Sequence, residues 1–136
     1  MQITDKNRWS KAVLLPARDA KLVEEVLSLD RAIRYCGIID KDGKIIAGGM
    51  RKGVDSLEPS SLEPKLITQL AILLGADKGW DAYLGRTDYI LIHKNKVNLA
   101  LFPITGFGGV LVSTEPSFSI GKMDEILQTI TQYEKA

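Results

Sequence analysis

The alternation of apolar and polar positions divides the chain into short segments, and the clearest of them form a pair of strands. Apolar residues fill positions 33–39 and 44–50, and the polar stretch Asp40-Lys41-Asp42-Gly43 separates them. Gly43 can adopt the positive φ that ends a type I turn with a bulge. The pattern therefore predicts a β-hairpin, which we expect at the centre of a sheet.

Helical spacing of apolar residues predicts three helices, one before the hairpin and two after it. In each of them apolar residues recur every three or four positions, as on the buried face of an amphipathic helix. The faces comprise Leu22, Val23, Val26, Leu27 and Leu29 in the first helix, Leu62, Leu66, Ile67, Leu70, Ala71, Leu73 and Leu74 in the second, and Ile120, Met123, Ile126, Leu127, Ile130 and Tyr133 in the third.

The middle helix is apolar over more than a single stripe, which distinguishes it from the other two. Ser60 and Glu63 have the spacing of a capping box and mark its start. Gly75 and Gly79 interrupt the pattern before Gly85 ends it, so we expect a kinked helix or two short ones. An apolar face of this width predicts contact on two sides, with the sheet on one and a second subunit on the other.

Alternating residues predict three further strands, at 87–93, 97–104 and 110–114, which follow one another as an antiparallel meander. The complete order is helix, two strands, helix, three strands, helix. This order indicates an α+β fold built on a single five-stranded antiparallel sheet. We expect residues 1–17 to form an N-terminal arm and residues 18–136 to form one domain.

Composition narrows the classes of function. The chain has 136 residues, and 18 Lys and Arg against 17 Asp and Glu give a net charge of +1. A balance of this kind produces no broad field that would attract nucleic acid or an anionic membrane. No apolar run approaches the roughly 20 residues that span a bilayer, and the polar start does not resemble a signal peptide. We therefore predict a cytoplasmic protein without a membrane span or a nucleic-acid partner.

Candidate catalytic residues are few, because the chain has one cysteine, Cys36, and one histidine, His93. A free cysteine within a strand commonly packs as a small hydrophobe, and a thiol enzyme would need a depressed thiol pKa at Cys36. The two residues leave a zinc site incomplete. Asp40 and Asp42 are explained as turn formers rather than as metal ligands. The sequence thus predicts a non-enzymatic protein with no cofactor and no metal ion.

Two resemblances add to this interpretation. Residues 27–51, with Gly37 and the run Ala47-Gly48-Gly49 among their isoleucines, resemble a family of small uncharacterised proteins from ammonia-oxidising archaea. The similarity continues to Gly85 and through residues 89–104. The order of elements also resembles the roadblock domains, a dynein light-chain-like group whose fold is similar to those of longin and profilin.

The roadblock resemblance implies a homodimer that pairs sheet edges and middle helices, and a role as scaffold or regulator of small Ras-like GTPases. By this resemblance the dimer surface comprises Leu66, Leu70, Leu73 and Leu74 of the middle helix with Tyr89 and Leu91 of the following strand. The alternative is a small-molecule sensor domain that binds its ligand between sheet and helix. Its pocket would comprise Tyr35, Cys36, Trp80 and Phe102.

Overall fold

The computed structural model describes residues 17–105 and 108–135, and the predicted α+β order is confirmed. The elements are α1 (Ala17–Ser28), β1 (Ile33–Ile39), β2 (Ile45–Met50), α2 (Glu63–Lys78), α3 (Asp81–Leu84), β3 (Ile90–His93), β4 (Asn98–Pro103), β5 (Gly109–Thr114) and α4 (Met123–Lys135), the last preceded by a 3₁₀ turn at Ile120–Lys122. The predicted N-terminal arm lies outside the described residues, apart from Ala17 at the start of α1.

The five strands form one antiparallel sheet in the order β2-β1-β5-β4-β3. The β1–β2 hairpin and the meander of β3, β4 and β5 are confirmed. The predicted position of the hairpin is wrong, because β5 occupies the centre of the sheet and β2 lies at an edge. A hairpin joins neighbours in sequence, whereas the pairing of β1 with β5, as between Cys36 and Val112, joins distant segments that a local pattern does not report.

The turn between β1 and β2 forms as the sequence predicts. Gly43 has a φ of 84°, in the region that favours glycine. The Asp40 carboxylate accepts hydrogen bonds from the backbone N–H groups of Asp42 and Lys44, each at 2.9 Å. These two bonds are those expected of an aspartate that stabilises a turn. The Asp40 carboxylate therefore has a structural role.

Helices cover both faces of the sheet, so the domain has three layers. The core between the sheet and the pair α1 and α4 is separate from the core between the sheet and α2. Successive residues of β4 alternate between the two cores: Leu99 and Leu101 face α2, whereas Ala100 and Phe102 face α1 and α4. The sheet is consequently buried on both sides, and Phe102 is fully buried.

The middle helical region divides into α2 and α3 at Gly79, so it contains two helices. Gly75 lies inside α2, where a single glycine weakens a helix by about 1 kcal/mol without ending it. The capping box predicted at Ser60 does not form, because α2 begins after Leu62, whose side chain makes no capping hydrogen bond. Gly85 ends α3 with a φ of 91°, as predicted.

Candidate functional site

Helix α2 presents one apolar stripe to the sheet and a second one to the surface. The stripe of Ile67, Leu70, Ala71 and Leu74 recurs every three or four residues and lies buried in the core. Leu70 and Leu74 are each 5% exposed, so they are not available to a second subunit, which corrects their predicted place in a dimer surface. Helical spacing alone does not say which of two apolar stripes faces the sheet.

Large apolar side chains are exposed on the outer side of α2 and in the segment from Trp80 to Leu84 that follows it. We call these five residues the α2–α3 patch: Ile72, Leu73, Trp80, Tyr83 and Leu84. Ile72 is 66% exposed, Tyr83 81% and Leu84 80%, and the rings of Trp80 and Tyr83 contact each other with centroids 6.4 Å apart. Exposed apolar surface of this kind marks interaction sites on soluble proteins.

The patch differs in membership from the predicted dimer surface. Leu73 belongs to both, whereas Leu66 is half-buried and packs against the core beneath α2. Sequence reasoning assigned Trp80 to a pocket and did not assign Tyr83 and Leu84, although these residues keep the helical spacing of the segment. That spacing was the available signal, since apolar residues that continue a helical stripe past its covering sheet lie on the surface.

Strand β3 follows the patch in the chain and forms the edge of the sheet beside β4. Among the described residues it pairs with β4 alone, so one row of its backbone N–H and C=O groups has no strand partner. Tyr89 and Leu91, both predicted at the dimer surface, are half-buried and pack against the core of α1 and α4, where the Tyr89 ring contacts that of Phe102 at 5.6 Å. The backbone of β3 therefore offers more to a partner than these two side chains do.

A cavity of about 260 Å³ lies between α2 and the sheet. We call it the helix–sheet cavity. Apolar side chains from α2 and from four strands form much of its wall, among them Tyr35, Leu66, Ile67, Leu99 and Leu111. Charged residues also line it, namely Arg34, Glu58, Glu63 and Lys94. None of the five patch residues lines this cavity, so it is distinct from the α2–α3 patch.

The four residues of the predicted ligand pocket do not come together. Tyr35 lines the helix–sheet cavity, but Cys36 and Phe102 lie in the core on the opposite face of the sheet. Trp80 is 61% exposed at the far end of α2. Because successive residues of a strand point to opposite faces, Tyr35 and Cys36 cannot line one pocket. Of the four predicted residues, only Tyr35 lines the cavity between sheet and helix, and a ligand there stays a prediction.

The hydroxyl of Tyr35 is buried and has no hydrogen-bond partner among the described residues. A Cβ atom at Gly37 would lie 2.1 Å from this hydroxyl oxygen, and one at Gly48 would lie 2.7 Å from it. The two glycines therefore make room for the Tyr35 side chain on the sheet. Burial raises the pKa of Tyr35 far above its ordinary value, so the hydroxyl stays protonated.

Two carboxylates at the cavity lie close to each other. Burial raises the pKa of Glu63, and the nearby negative charge of Glu58 raises it further. Within residues 17–105 and 108–135 neither carboxylate forms an ion pair, whereas the Arg34 guanidinium is bonded to Glu115 at 2.8 Å. Arg34 also donates to the backbone oxygen of Asp55 at 2.8 Å. The positive charge of Arg34 is therefore already paired with a carboxylate.

The remaining candidates for chemistry are not arranged for catalysis. Cys36 is fully buried, and burial raises the pKa of its thiol, which is the opposite of what a nucleophilic cysteine requires. His93 Nδ1 contacts Asn98 Oδ1 at 2.6 Å. β1 and β3 are separated by β5 and β4, so Cys36 and His93 lie on strands roughly 14 Å apart. The two residues do not form a catalytic pair.

Neither a metal site nor a membrane-spanning helix is found among the described residues. These residues contain no group of three or more His, Cys, Asp and Glu side chains arranged to hold a metal ion. Over the same part of the chain, every helix is too short or too polar to cross a membrane.

Solved structures with the same arrangement of elements belong to the roadblock class. The gliding protein MglB from Thermus thermophilus superposes with a TM-score of 0.67 and 17% identity, over 88% of this chain and 90% of that one. A structure described as MglB with tetrameric arrangement gives 0.65 and 17%, over 94% and 90%. A Roadblock/LC7 domain from Streptomyces avermitilis gives 0.61 and 10%, over 86% and 98%.

No family model and no curated protein matches the sequence. At these identities the structural likeness shows the fold, and the chain therefore has the roadblock/LC7 fold that its order of elements resembles. The resemblance to the archaeal family stays a prediction.

Proposed function

We propose that this protein is a non-enzymatic homodimeric interaction module, in which a second copy covers the α2–α3 patch and pairs along β3. The observation that carries the proposal is the exposure of five large apolar side chains on α2 and α3, with Ile72 at 66%. Such a surface is unfavourable in water, and a second copy of the same surface can bury it around a twofold axis.

The energetics are compatible with a dimer that uses both elements. Full burial of the five side chains on both copies would contribute roughly 15–30 kcal/mol, at about 1.5–3 kcal/mol for each of ten side chains. Association loses roughly 4–15 kcal/mol of translational and rotational freedom, so burial of the two patches can support a dimer. Backbone hydrogen bonds between the β3 edges of two copies would add to it and would also protect the edge from unspecific pairing. The tetrameric arrangement of an MglB with this fold supports self-association as a property of such domains.

The roadblock resemblance suggests the class of a further partner. It implies a scaffold or regulator of a small Ras-like GTPase, and we propose that class here. A regulatory role agrees with a buried thiol whose pKa is raised, since a regulator needs surface rather than a reactive group. Helix pairing across a dimer would create a continuous surface on one side of the sheet, which a globular partner can contact.

A second candidate function is that of a small-molecule sensor. The helix–sheet cavity supports it, because a concave and largely apolar site between layers is the usual place for a small ligand. The two functions are compatible, since the cavity and the α2–α3 patch share no residue.

Sedimentation equilibrium of two matched variants tests the homodimer. We expect the unmodified chain to show twice its 15.0 kDa mass. Ile72→Asp should weaken dimerisation by about 100-fold, because it places a charge at the centre of a buried apolar contact. Ile120→Asp is the control, because Ile120 is similarly exposed, at 61%, but lies beside α4. A monomer at every concentration, or equal effects of the two variants, would contradict the proposal.

A further inference from the structure

We propose that the helix–sheet cavity is a binding site for a small ligand that carries one protonated amine on an apolar body. The proposal deepens the sensor function and rests on it, but it does not depend on the dimer. The cavity measures about 260 Å³, slightly below the roughly 300–1,000 Å³ that is usual for ligand pockets, so the ligand is small.

The apolar cavity wall favours a ligand whose main part is apolar. Leu66 and Ile67 of α2 face Leu99 and Leu111 of the sheet across the cavity region, and Val97 adds to the same wall. Water against such a wall makes few hydrogen bonds, so an apolar group that displaces it gains free energy. A ligand composed of polar groups alone would leave this part of the wall unsatisfied.

The two carboxylates favour a ligand that carries a positive charge. Glu58 and Glu63 both line the cavity, and burial together with the mutual repulsion of their charges raises the pKa of Glu63. An ammonium group next to both would relieve that repulsion and would be held by charge-assisted hydrogen bonds. A hydrogen bond with Glu58 is also among the causes of the raised pKa of Glu63, and no Lys or Arg among the described residues forms an ion pair with either carboxylate.

Tyr35 contributes its side chain to the cavity wall, and its buried hydroxyl makes no hydrogen bond to a described residue. A Cβ atom at Gly37 or Gly48 would lie 2.1 Å or 2.7 Å from the hydroxyl oxygen, so this oxygen lies over two glycines that do not line the cavity. Tyr35 is therefore counted with the apolar wall of the site.

The two cations at the cavity do not favour an anionic ligand. Arg34 is already bonded to Glu115 and to the backbone oxygen of Asp55. Lys94 lies in the exposed turn between β3 and β4, where water solvates its ammonium group. The half-buried carboxylates, by contrast, form no ion pair with a described residue, whereas the half-buried Arg34 does. The uncompensated half-buried charges at this site are therefore negative.

The test compares three probes that share one apolar body and differ in charge: 2-phenylethylamine, 2-phenylethanol and phenylacetate. Each is titrated into the full chain, and affinity is measured by calorimetry and located by backbone amide chemical shifts. We expect 2-phenylethylamine to bind about tenfold more tightly than phenylacetate, with the largest shifts at residues that line the cavity.

Variants of the carboxylates locate the preference. The double variant Glu58→Gln with Glu63→Gln should bind the amine no better than the alcohol, because it keeps shape and hydrogen-bonding capacity but removes both charges. Glu125→Gln is the matched control, since Glu125 is an exposed carboxylate on α4, across the sheet from the cavity. It should leave all three affinities unchanged. Circular dichroism verifies that each variant is folded.

Each outcome decides the proposal. Preferential binding of the amine that disappears in the double variant supports it. Equal binding of the three probes at the cavity, or tighter binding of phenylacetate, overturns the ammonium class but leaves the sensor function intact. If no probe shifts the amides of the lining residues, both the ligand site and the sensor function are overturned, while the homodimer is unaffected.

Discussion

The two faces of the sheet are covered to different extents. Five strands about 4.8 Å apart span roughly 19 Å between the outer axes, and a helix with its side chains is about 10 Å across. Among the described residues, two helices, α1 and α4, therefore cover one face, whereas α2 alone covers the other. Both candidate sites, the α2–α3 patch and the helix–sheet cavity, lie on the side with one helix. We call the side with one helix the incomplete layer of the described residues, and it is where we propose that partners bind.

The largest expected effect is a difference in the free energy of unfolding between a substitution in the core and one in the α2–α3 patch. Phe102 is fully buried on the face with two helices, and Phe102→Ala should lower the free energy of unfolding by about 3–5 kcal/mol through lost burial and a cavity. Ile72→Ala in the patch should change it by less than about 0.5 kcal/mol in dilute solution, where no second copy covers the side chain. Urea denaturation at low protein concentration measures both values. A similar loss in both variants would mean that Ile72 is part of the core.

An intermediate effect tests how the sheet accommodates Tyr35 at the cavity. A Cβ at Gly48 would lie 2.7 Å from the Tyr35 hydroxyl oxygen, so Gly48→Ala should destabilise the chain by about 1–3 kcal/mol through overpacking. Tyr35→Phe removes that oxygen and should recover part of the loss when the two changes are combined, since Gly37 Cα and Cys36 O would still lie 3.1 Å and 3.3 Å from the added Cβ. Chemical denaturation of the two single variants and the double variant gives the coupling energy. Strictly additive effects would show that the two side chains do not compete for the same space.

The smallest effect is a pH dependence at the cavity. The pKa of Glu63 in the folded chain lies above its ordinary value of 4.5, because burial and Glu58 disfavour its ionised form. Ionisation is easier in the unfolded chain, so this residue reduces stability as the pH rises from below 4.5 through the raised pKa. Glu63→Gln should therefore be slightly more stable than the unmodified chain at about pH 7 and equal to it at about pH 3.

Thermal denaturation at the two pH values measures that difference. Glu125→Gln serves as the control, because the exposed Glu125 on α4 lies outside the cavity. A variant that is less stable at neutral pH would mean that the Glu63 carboxylate has a favourable partner in the folded chain.

The features that could be predicted from the sequence are those that depend on residues close together along the chain. The Asp40 turn, the order of elements and the end of α3 at Gly85 follow from local composition and backbone preference, and they are confirmed. The place of β1 beside β5 and the choice of apolar stripe on α2 depend on contacts between distant segments. Leu70 and Leu73 look equivalent in the sequence, yet one is buried against the sheet and the other is 38% exposed.

The pocket prediction shows the same limit within a single strand. Tyr35 and Cys36 are adjacent, and alternation requires that they face different sides of the sheet. Alternation along a strand can be applied to the sequence alone, and it places the side chains of Tyr35 and Cys36 on opposite faces of the sheet. The position of Glu58 and Glu63 at the cavity could not be predicted from the sequence, because it depends on where the start of α2 and the loop before it meet the sheet.

Hydrogen exchange of the backbone amides, measured as the protein is concentrated from dilute to high micromolar solution, tests most directly whether a second copy completes the incomplete layer. The account predicts slower exchange at high concentration in β3 (Ile90–His93) and in residues 72–84, with no change in α4 (Met123–Lys135). Exchange that is independent of concentration in β3 and residues 72–84, or protection that appears first in α4, would contradict it.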